Sequence, residues 1–183
     1  MLESKLDCDL CEEAFSYHPG VKGENADLTK ILFVLHRSDS REPQPRSSAT
    51  YREALLKSQT GKVLTEMLEF CDLTIEDIYL TNVFKCLLPK DREPRAKEYK
   101  SCIKVLEEQV TDFDPKKILV FGRKSYEHMF PEIAKQNSYK KMVMKALDFN
   151  GVPSLVSYHP SWMWSFKPKK RKGHYKKIKK FLT

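Results

Sequence analysis

The stretch DIYLTNVFKCLLPKDREPRAKEYKSCIKVLEEQVTDFDPKKILVFG, residues 77–122, decides the fold because it alternates strand, helix and strand patterns. Residues 77–85 and 116–122 are short runs rich in branched and aromatic side chains, which is typical of buried strands. Residues 96–113 lie between them and carry apolar side chains at helical spacing, at Cys102, Val105, Leu106 and Val110. This order predicts two parallel strands joined by a right-handed helical crossover.

The same alternation continues on both sides of that unit. Towards the N-terminus, residues 60–73 have a helical pattern and KILFVLH, residues 30–36, reads as another buried strand. Towards the C-terminus, residues 152–160 form a fourth strand with its exit loop, and residues 174–182 can close the chain as a helix. We therefore predict an α/β fold in three α/β/α layers, with a four-stranded, mostly parallel central sheet.

Positive charge is concentrated at one end of the chain. The net charge is +8, from 33 Lys and Arg against 25 Asp and Glu, and no acidic residue follows Asp148. We predict one domain over residues 1–183 with a basic segment at 167–183. Such a segment attracts phosphate backbones, although a lysine-rich helix face can also serve only solubility. The predicted contacts to nucleic acid are Lys169, Lys170, Arg171 and Lys172.

The chain shows no sign of membrane insertion or export. No apolar run approaches the roughly 20 residues that span a bilayer. The N-terminal sequence MLESKLDCDL lacks the apolar centre of a signal peptide. A cytoplasmic protein without membrane contact is expected, and it is expected to be a monomer.

The five cysteines point to a metal centre more than to disulfides, because their number is odd and a cytoplasmic compartment is reducing. Cys8 and Cys11 have the CxxC spacing of one corner of a metal site, while Cys86 follows a strand and Cys102 lies on a helix. Four thiolates fit either a [4Fe–4S] cluster or zinc. Cys71 lies on the apolar face of a helix and is predicted to be a packing residue.

Several motifs in fixed order resemble those of family-4 uracil-DNA glycosylases, the iron–sulfur branch of the uracil-DNA glycosylase superfamily. The matching segments are TNVFKC (81–86), REP (92–94), the helical Cys102, PKKILVFG (115–122) and SYHPS (157–161). The resemblance implies a parallel sheet between helices and an enzyme that flips a deaminated base out of DNA and hydrolyses its N-glycosidic bond. It also favours a [4Fe–4S] cluster over zinc at Cys8, Cys11, Cys86 and Cys102.

The resemblance also implies roles for individual residues. Asn82 matches the asparagine that reads the base, although a strand-end asparagine can equally cap a turn. His159 matches the histidine placed near the base O2, where a donor stabilises the departing anion. Ser161 is expected to contact phosphate. Trp162, Met163 and Trp164 are candidates for a wedge that fills the vacated stack, or else they pack under the last helix.

The first motif of the family is absent. Where the family has a GEAPG-like sequence after its first strand, this chain has LHRSD, residues 35–39. His36 occupies the place of the glutamate, and Asp39 is the nearest carboxylate. Either side chain can handle the attacking water, and His36 can also be a structural residue at a strand end.

A second departure concerns the ring that stacks on the flipped base. The place of the family's phenylalanine falls near Leu56, and leucine cannot stack as a ring does. Tyr51 or Phe84 could take over that role.

Three functions follow as hypotheses. The first is a DNA repair glycosylase that excises a deaminated base, uracil by default, from single- or double-stranded DNA. The second is a catalytically impaired relative that binds nucleic acid or senses damage. The third is a zinc-stabilised α/β domain that binds RNA through its lysine-rich tail.

Overall fold

The computed structural model describes residues 15–17, 20–37, 48–88 and 92–183. The described elements are β1 (Phe15–Tyr17), β2 (Val21–Lys22), α1 (Ala26–Thr29), β3 (Ile31–Leu35), α2 (Ser48–Lys57), α3 (Gln59–Phe70), a 3-10 turn (Ile75–Asp77), β4 (Ile78–Asn82), β5 (Cys86–Leu87), α4 (Ala96–Phe113), β6 (Lys117–Phe121), α5 (Arg123–Met129), α6 (Pro131–Gln136), α7 (Tyr139–Met142), β7 (Ala146–Phe149), β8 (Val152–Ser157), α8 (Pro160–Met163) and α9 (Pro168–Leu182).

The central sheet has the strand order β2-β4-β3-β6-β8-β7. Its four inner strands are parallel, which confirms the predicted strands and their direction. The predicted number of strands is wrong, because the sheet has six strands and the two outer ones pair antiparallel. Strand β2 has only two residues and β7 is largely exposed, so neither has the apolar run that reveals a buried strand in a sequence.

Side chains alternate between the two faces of the sheet and build two hydrophobic clusters. On β3, Phe33 packs on the side of α3, α8 and α9, whereas Leu32 packs on the side of α4 and α5. Both faces are thus covered by helices, as expected for a largely parallel sheet. The prediction of a central sheet between helices is confirmed. Cys71 packs in the first of these clusters, as predicted.

Local sequence signals set most helix bounds. Helix α4 covers the predicted residues 96–113, and Pro131 begins α6 directly after α5 has ended. Helix α9 begins at Pro168, earlier than the predicted residue 174, because proline is well suited to the first helical position. Residues 1–29, predicted as a loop, contain the short elements β1, β2 and α1 in their described part.

Within the described ranges, no helix combines the length and the apolar character that crossing a membrane requires.

A candidate active site at the carboxyl edge of the sheet

The inner strands bring their carboxyl ends together at one edge of the sheet. Leu35 pairs with Asn82 between β3 and β4, and Phe121 pairs with Ser157 between β6 and β8. Adjacent strands are about 4.8 Å apart, so the residues at and just after these ends lie side by side. We call this set of residues the row. Such an edge is where open α/β sheets bind their ligands. The row carries the predicted residues Asn82, His36 and His159.

His36 is held by hydrogen bonds to two neighbouring segments. Its Nε2 lies 2.5 Å from the hydroxyl oxygen of Tyr99, and its carbonyl accepts a hydrogen bond from the Phe84 amide at 2.9 Å. Burial lowers the pKa of His36 to about 3, and the nearby positive charge of Arg37 adds to that shift. The imidazole is therefore neutral at physiological pH.

Tyr99 lies in a stack of rings that the sequence did not reveal. It is 4% exposed, its ring stacks on His128 with centroids 3.5 Å apart, and Phe84 meets it edge-on at 5.7 Å. Burial lowers the pKa of His128, so this ring is also neutral. The available signal was a tyrosine on the apolar stripe of α4, three residues before Cys102.

Asn82 is the last residue of β4 and is 1% exposed. The side-chain nitrogen of Lys85 donates to the Asn82 carbonyl at 2.5 Å, to Thr81 Oγ1 at 2.7 Å and to Gln109 Oε1 at 2.5 Å. Burial lowers the pKa of Lys85 to about 7. The three bonds fix the backbone that carries the Asn82 amide.

His159 caps the short helix α8 with its own side chain. The Ser161 amide donates to Nδ1 of His159 at 3.3 Å, and the Ser161 hydroxyl lies 2.8 Å from the same nitrogen. An amide can only donate, so Nδ1 is an acceptor and the ring proton is on Nε2. Burial lowers the pKa of His159 to about 4, which keeps this tautomer neutral.

Gly122 allows the His159 loop to approach β6. Its φ is +89°, and a Cβ at this position would lie 3.3 Å from the Cβ of His159. The Gly122 amide also donates to the Ser157 carbonyl at 2.9 Å. A side chain here would be strained and would press on the histidine.

The REP segment is anchored to the first turn of α4. Arg92 donates to both oxygens of Glu98, at 2.9 and 2.6 Å, and Glu98 Oε2 also accepts from the Arg95 amide at 2.6 Å. The hydrogen bonds from Arg92 lower the pKa of Glu98. Between these residues, Glu93 lies 3.6 Å from both Arg37 and Lys124, forming a charged rim beside the ring stack.

Helix α8 and the residue that follows it present two tryptophans to solvent. Trp162 is 50% exposed and Trp164 is 47% exposed, whereas Met163 is fully buried in the core. Met163 is therefore not available as a wedge. It packs in the core, which was the alternative prediction for this residue.

Helix α9 divides its basic residues between solvent and the protein. Lys169, Lys170 and Lys172 are exposed. Arg171 instead lies 3.1 Å from the carboxylate of Glu66 on α3, with its side chain 16% exposed. Three of the four predicted nucleic-acid contacts thus face solvent, and the fourth ties α9 to the body of the protein.

Two of the four predicted cluster cysteines lie among the described residues. Cys86 and Cys102 are both buried in the same hydrophobic cluster, and both lie near enough to oppose the burial-driven fall in the pKa of Lys85. Strand β1 pairs with β5 and places Tyr17 opposite Cys86. Cys8 and Cys11 lie outside the described residues, and among those that are described no group of three or more potential metal ligands comes together.

The remaining predicted residues are Asp39, Leu56, Phe84 and Tyr51. Asp39 lies outside the described residues. Leu56 is partly buried on α2, and Phe84 is buried against Tyr99. Of Tyr51 only the helical backbone is described.

Comparison with known proteins finds one family and a set of related enzymes. The family described as the Uracil DNA glycosylase superfamily matches residues 16–183. The type-4 uracil-DNA glycosylase of Archaeoglobus fulgidus is 32% identical over 123 residues, which cover 67% of this chain and 57% of that protein. That of Saccharolobus solfataricus is 32% identical over 160 residues, covering 84% of this chain and 71% of the relative.

The type-4 uracil-DNA glycosylase of Sulfurisphaera tokodaii is 28% identical over 140 residues, covering 74% of this chain and 59% of the relative. The chain thus matches less than two thirds of the Archaeoglobus and Sulfurisphaera proteins.

Proposed function

Because this chain belongs to the uracil DNA glycosylase superfamily, we propose that it is a DNA repair enzyme that hydrolyses the N-glycosidic bond of a deaminated base in DNA, with uracil as the default substrate. The observation that carries the proposal is the row of Asn82, His36 and His159 at the carboxyl ends of parallel strands. Both imidazoles are neutral there, which suits a site that receives an uncharged base.

Asn82 recognises the flipped base. An amide can donate to the O4 of uracil and accept from its N3–H, whereas cytosine presents the opposite pattern. A buried asparagine whose backbone is held by Lys85 imposes this choice strongly, because a mismatched base would leave polar groups unpaired.

His159 stabilises the leaving group. Its proton is on Nε2, so the ring can donate a hydrogen bond to the base O2 while negative charge develops there. The Ser161 amide keeps the ring in this tautomer without a positive charge.

The water is activated by His36 or by Asp39. The oxygen of water forms a bond to C1′ of the sugar, and the C1′–N bond breaks with its electron pair leaving on the base. The proton of the water passes to the imidazole or the carboxylate. This reaction needs no organic cofactor.

DNA is held by α8 and α9. The lysines Lys169, Lys170 and Lys172 are exposed for phosphate contacts, and Arg171 can add a further contact if it leaves Glu66. Ser161 approaches a phosphate beside the flipped nucleotide. Trp162 fills the vacated stack, for which its exposure is suitable. The substrate is single- or double-stranded DNA.

A [4Fe–4S] cluster is held by Cys8, Cys11, Cys86 and Cys102, with zinc as the alternative occupant. The described half of the site fits, since two buried cysteines share one cluster of side chains with an ammonium beside them. Phe15, opposite Leu87, is four residues after Cys11, which an extended chain spans in at most about 14 Å. The role of the cluster is structural, because hydrolysis itself transfers no electron. Its ligands would link the N-terminal segment to β5 and α4.

The direct test is a glycosylase assay on oligonucleotides that contain one uracil, hypoxanthine or xanthine. Purified protein, with its iron, sulfide and zinc quantified, is incubated with each oligonucleotide, and alkali then reveals abasic sites. We expect release of one base, lost in Asn82→Ala and in His159→Ala. Asn25→Ala is the matched control, because Asn25 is exposed and bonds to Asp77 at the opposite end of the sheet.

A catalytically impaired, DNA-binding relative is the second candidate. It is favoured by the altered first motif, in which His36 stands where the family has an acidic residue and is bonded to Tyr99. Tight binding of DNA without release of any of the three bases would support this function and refute the enzyme. In both cases we expect a cytoplasmic monomer, which gel filtration of the purified protein tests in part.

A further inference from the structure

Resting on the proposed function, we infer that Tyr99 is a positioning residue that orients His36, so that Nδ1 of this imidazole takes the proton of the attacking water. This assignment chooses His36 over Asp39 as the proton acceptor and adds a residue of α4 to the site.

The backbone on either side of His36 is fixed. The Val83 amide donates to the Leu35 carbonyl at 2.8 Å, and the Phe84 amide donates to the His36 carbonyl at 2.9 Å. These bonds tie the exit of β3 to the exit of β4. With the backbone fixed, the imidazole can move mainly by rotation about its own side-chain bonds.

The Tyr99 hydroxyl restricts that rotation. It lies 2.5 Å from Nε2 of His36, and the two rings are within 16° of parallel. Since Nε2 is engaged by the hydroxyl, the nitrogen that can act on a water molecule is Nδ1.

Tyr99 is itself held in place before any substrate arrives. His128 stacks on its ring at 3.5 Å with an angle of 15°, and Phe84 packs against it edge-on. A hydroxyl on a ring fixed from two sides is a preorganised partner, which costs no reorganisation when the reaction occurs.

The proton balance sets the tautomer. In the tautomer that this role requires, Nε2–H donates to the Tyr99 oxygen and Nδ1 keeps its lone pair. When water adds to C1′ and the C1′–N bond breaks, Nδ1 accepts the proton and the base departs as an anion. The resulting imidazolium is stabilised by the Tyr99 oxygen, much as an oriented partner stabilises the histidine of a catalytic triad.

The lowered pKa of His36 is compatible with this role. A base with a pKa of about 3 is as weak as a carboxylate, and it keeps its lone pair at any physiological pH. Weak bases suffice when glycosidic cleavage passes through an oxocarbenium-like transition state, because the bond to the leaving group is largely broken before water adds.

The kinetic test uses Tyr99→Phe, His36→Ala and the double variant. Single-turnover reactions are run on the oligonucleotide whose base the wild type releases. We expect His36→Ala to slow cleavage about 100-fold, within the usual range for general bases. Tyr99→Phe should slow it about 10-fold with the DNA dissociation constant unchanged, because only orientation is lost. The double variant should be no slower than His36→Ala, since Tyr99 acts through His36.

Tyr126→Phe is the matched control. Tyr126 is buried in the same hydrophobic cluster and donates to the Asn137 carbonyl at 2.9 Å, so it loses a similar hydroxyl bond without touching His36. It should leave the rate unchanged. Equal rates for Tyr99→Phe and the wild type, or additive losses in the double variant, would overturn the inference while leaving the glycosylase intact.

A second measurement does not depend on activity. Two-bond proton–nitrogen NMR correlations of the wild type should show His36 as a single Nε2–H tautomer, and Tyr99→Phe should show a mixture. An Nδ1–H tautomer in the wild type would overturn the inference. If the expected tautomer is found but the wild type releases no base, the proposed function fails and the pair is only structural, which also overturns the positioning role.

Discussion

The carboxyl edge of the sheet buries histidines, whereas the outer face of helix α9 exposes lysines. At the edge, burial lowers the pKa of His36 to about 3 and that of His159 to about 4, so both rings are neutral. On α9, lysines such as Lys169 and Lys172 are exposed to solvent. Under the proposed function, the edge would discriminate an uncharged base and the lysines of α9 would attract an anionic polymer.

Discriminating a base and attracting DNA require different surroundings. Hydrogen bonds discriminate best where water is excluded, because an unpaired polar group is then costly. Attraction to phosphates works through the release of counterions and needs exposed cations. Changes at the edge should therefore alter the rate of reaction, and changes on α9 should alter affinity and its dependence on salt.

The largest expected effect comes from Asn82→Ala. Removing the buried amide should lower the rate of base release about 10³-fold, the upper end for loss of one preorganised polar group. The affinity for undamaged DNA should stay the same, because α9 is untouched. Single-turnover kinetics measure the rate, and fluorescence anisotropy measures the affinity. A parallel loss of both would contradict the assignment of rate to the edge and of affinity to α9.

Acid should destabilise the fold through its buried histidines, with His36 and His159 at the edge showing the largest lowering of pKa and His174 on α9 acting in the same direction. The pKa values of His36 and His159 are lowered from 6.5, so the unfolded chain binds more protons than the native one below that value. The free energy of unfolding should fall as pH drops from about 6.5 towards 4. The charged and titratable groups that face His36 are Tyr99, Arg37, His128, Lys124 and His159.

Thermal denaturation across this pH range tests that expectation. A double variant, His36→Ala with His159→Ala, should show a shallower fall in Tm because two buried acceptors of protons are gone. An unchanged slope would mean that other groups govern the acid sensitivity.

The exposed lysines of α9 should govern salt dependence. Replacing Lys169, Lys170 and Lys172 together by alanine should weaken DNA binding, and the slope of log K against log salt should drop by about 2.7 on duplex DNA if each contacts one phosphate. The rate at saturating DNA should not change. The matched control replaces Lys97, Lys100 and Lys104, three exposed lysines of α4, and should leave the slope unaltered.

Arg171→Ala should have the smallest effect and sharpens the comparison within α9 itself. Its partly exposed ion pair with Glu66 is worth at most about 1 kcal/mol, so the Tm should fall slightly. The salt slope should stay constant if this arginine remains bound to Glu66. A drop in slope of about 0.9 would instead mark it as a phosphate contact.

The sequence predicted most of the framework because the inner strands are buried on both faces. Val34 and Val120, for example, are part of continuous apolar runs that reveal their strands without any partner. The edge strands were missed, since β2 is too short for a pattern and Asp148 interrupts β7.

The candidate site was only partly predictable. Asn82 and His159 could be predicted as site residues because they lie in ordered motifs, and the structure places both at the carboxyl edge. The contacts of His36 with Tyr99, and of Tyr99 with His128, join three elements that are far apart in sequence, so no local pattern encodes them. The predicted roles of all these site residues stay predictions, and Asp39, Cys8 and Cys11 lie outside the described part of the chain.

The pairing of β1 with β5 has a consequence for synthesis on the ribosome. Tyr17 and Cys86 are partners although a long stretch of chain separates them, so their pairing raises the contact order of the fold. A nascent chain must expose β1 as an unpaired strand until β5 has emerged from the exit tunnel. Strand β1 should therefore stay open to proteases at least until β5 has left the tunnel, although β1 is made first.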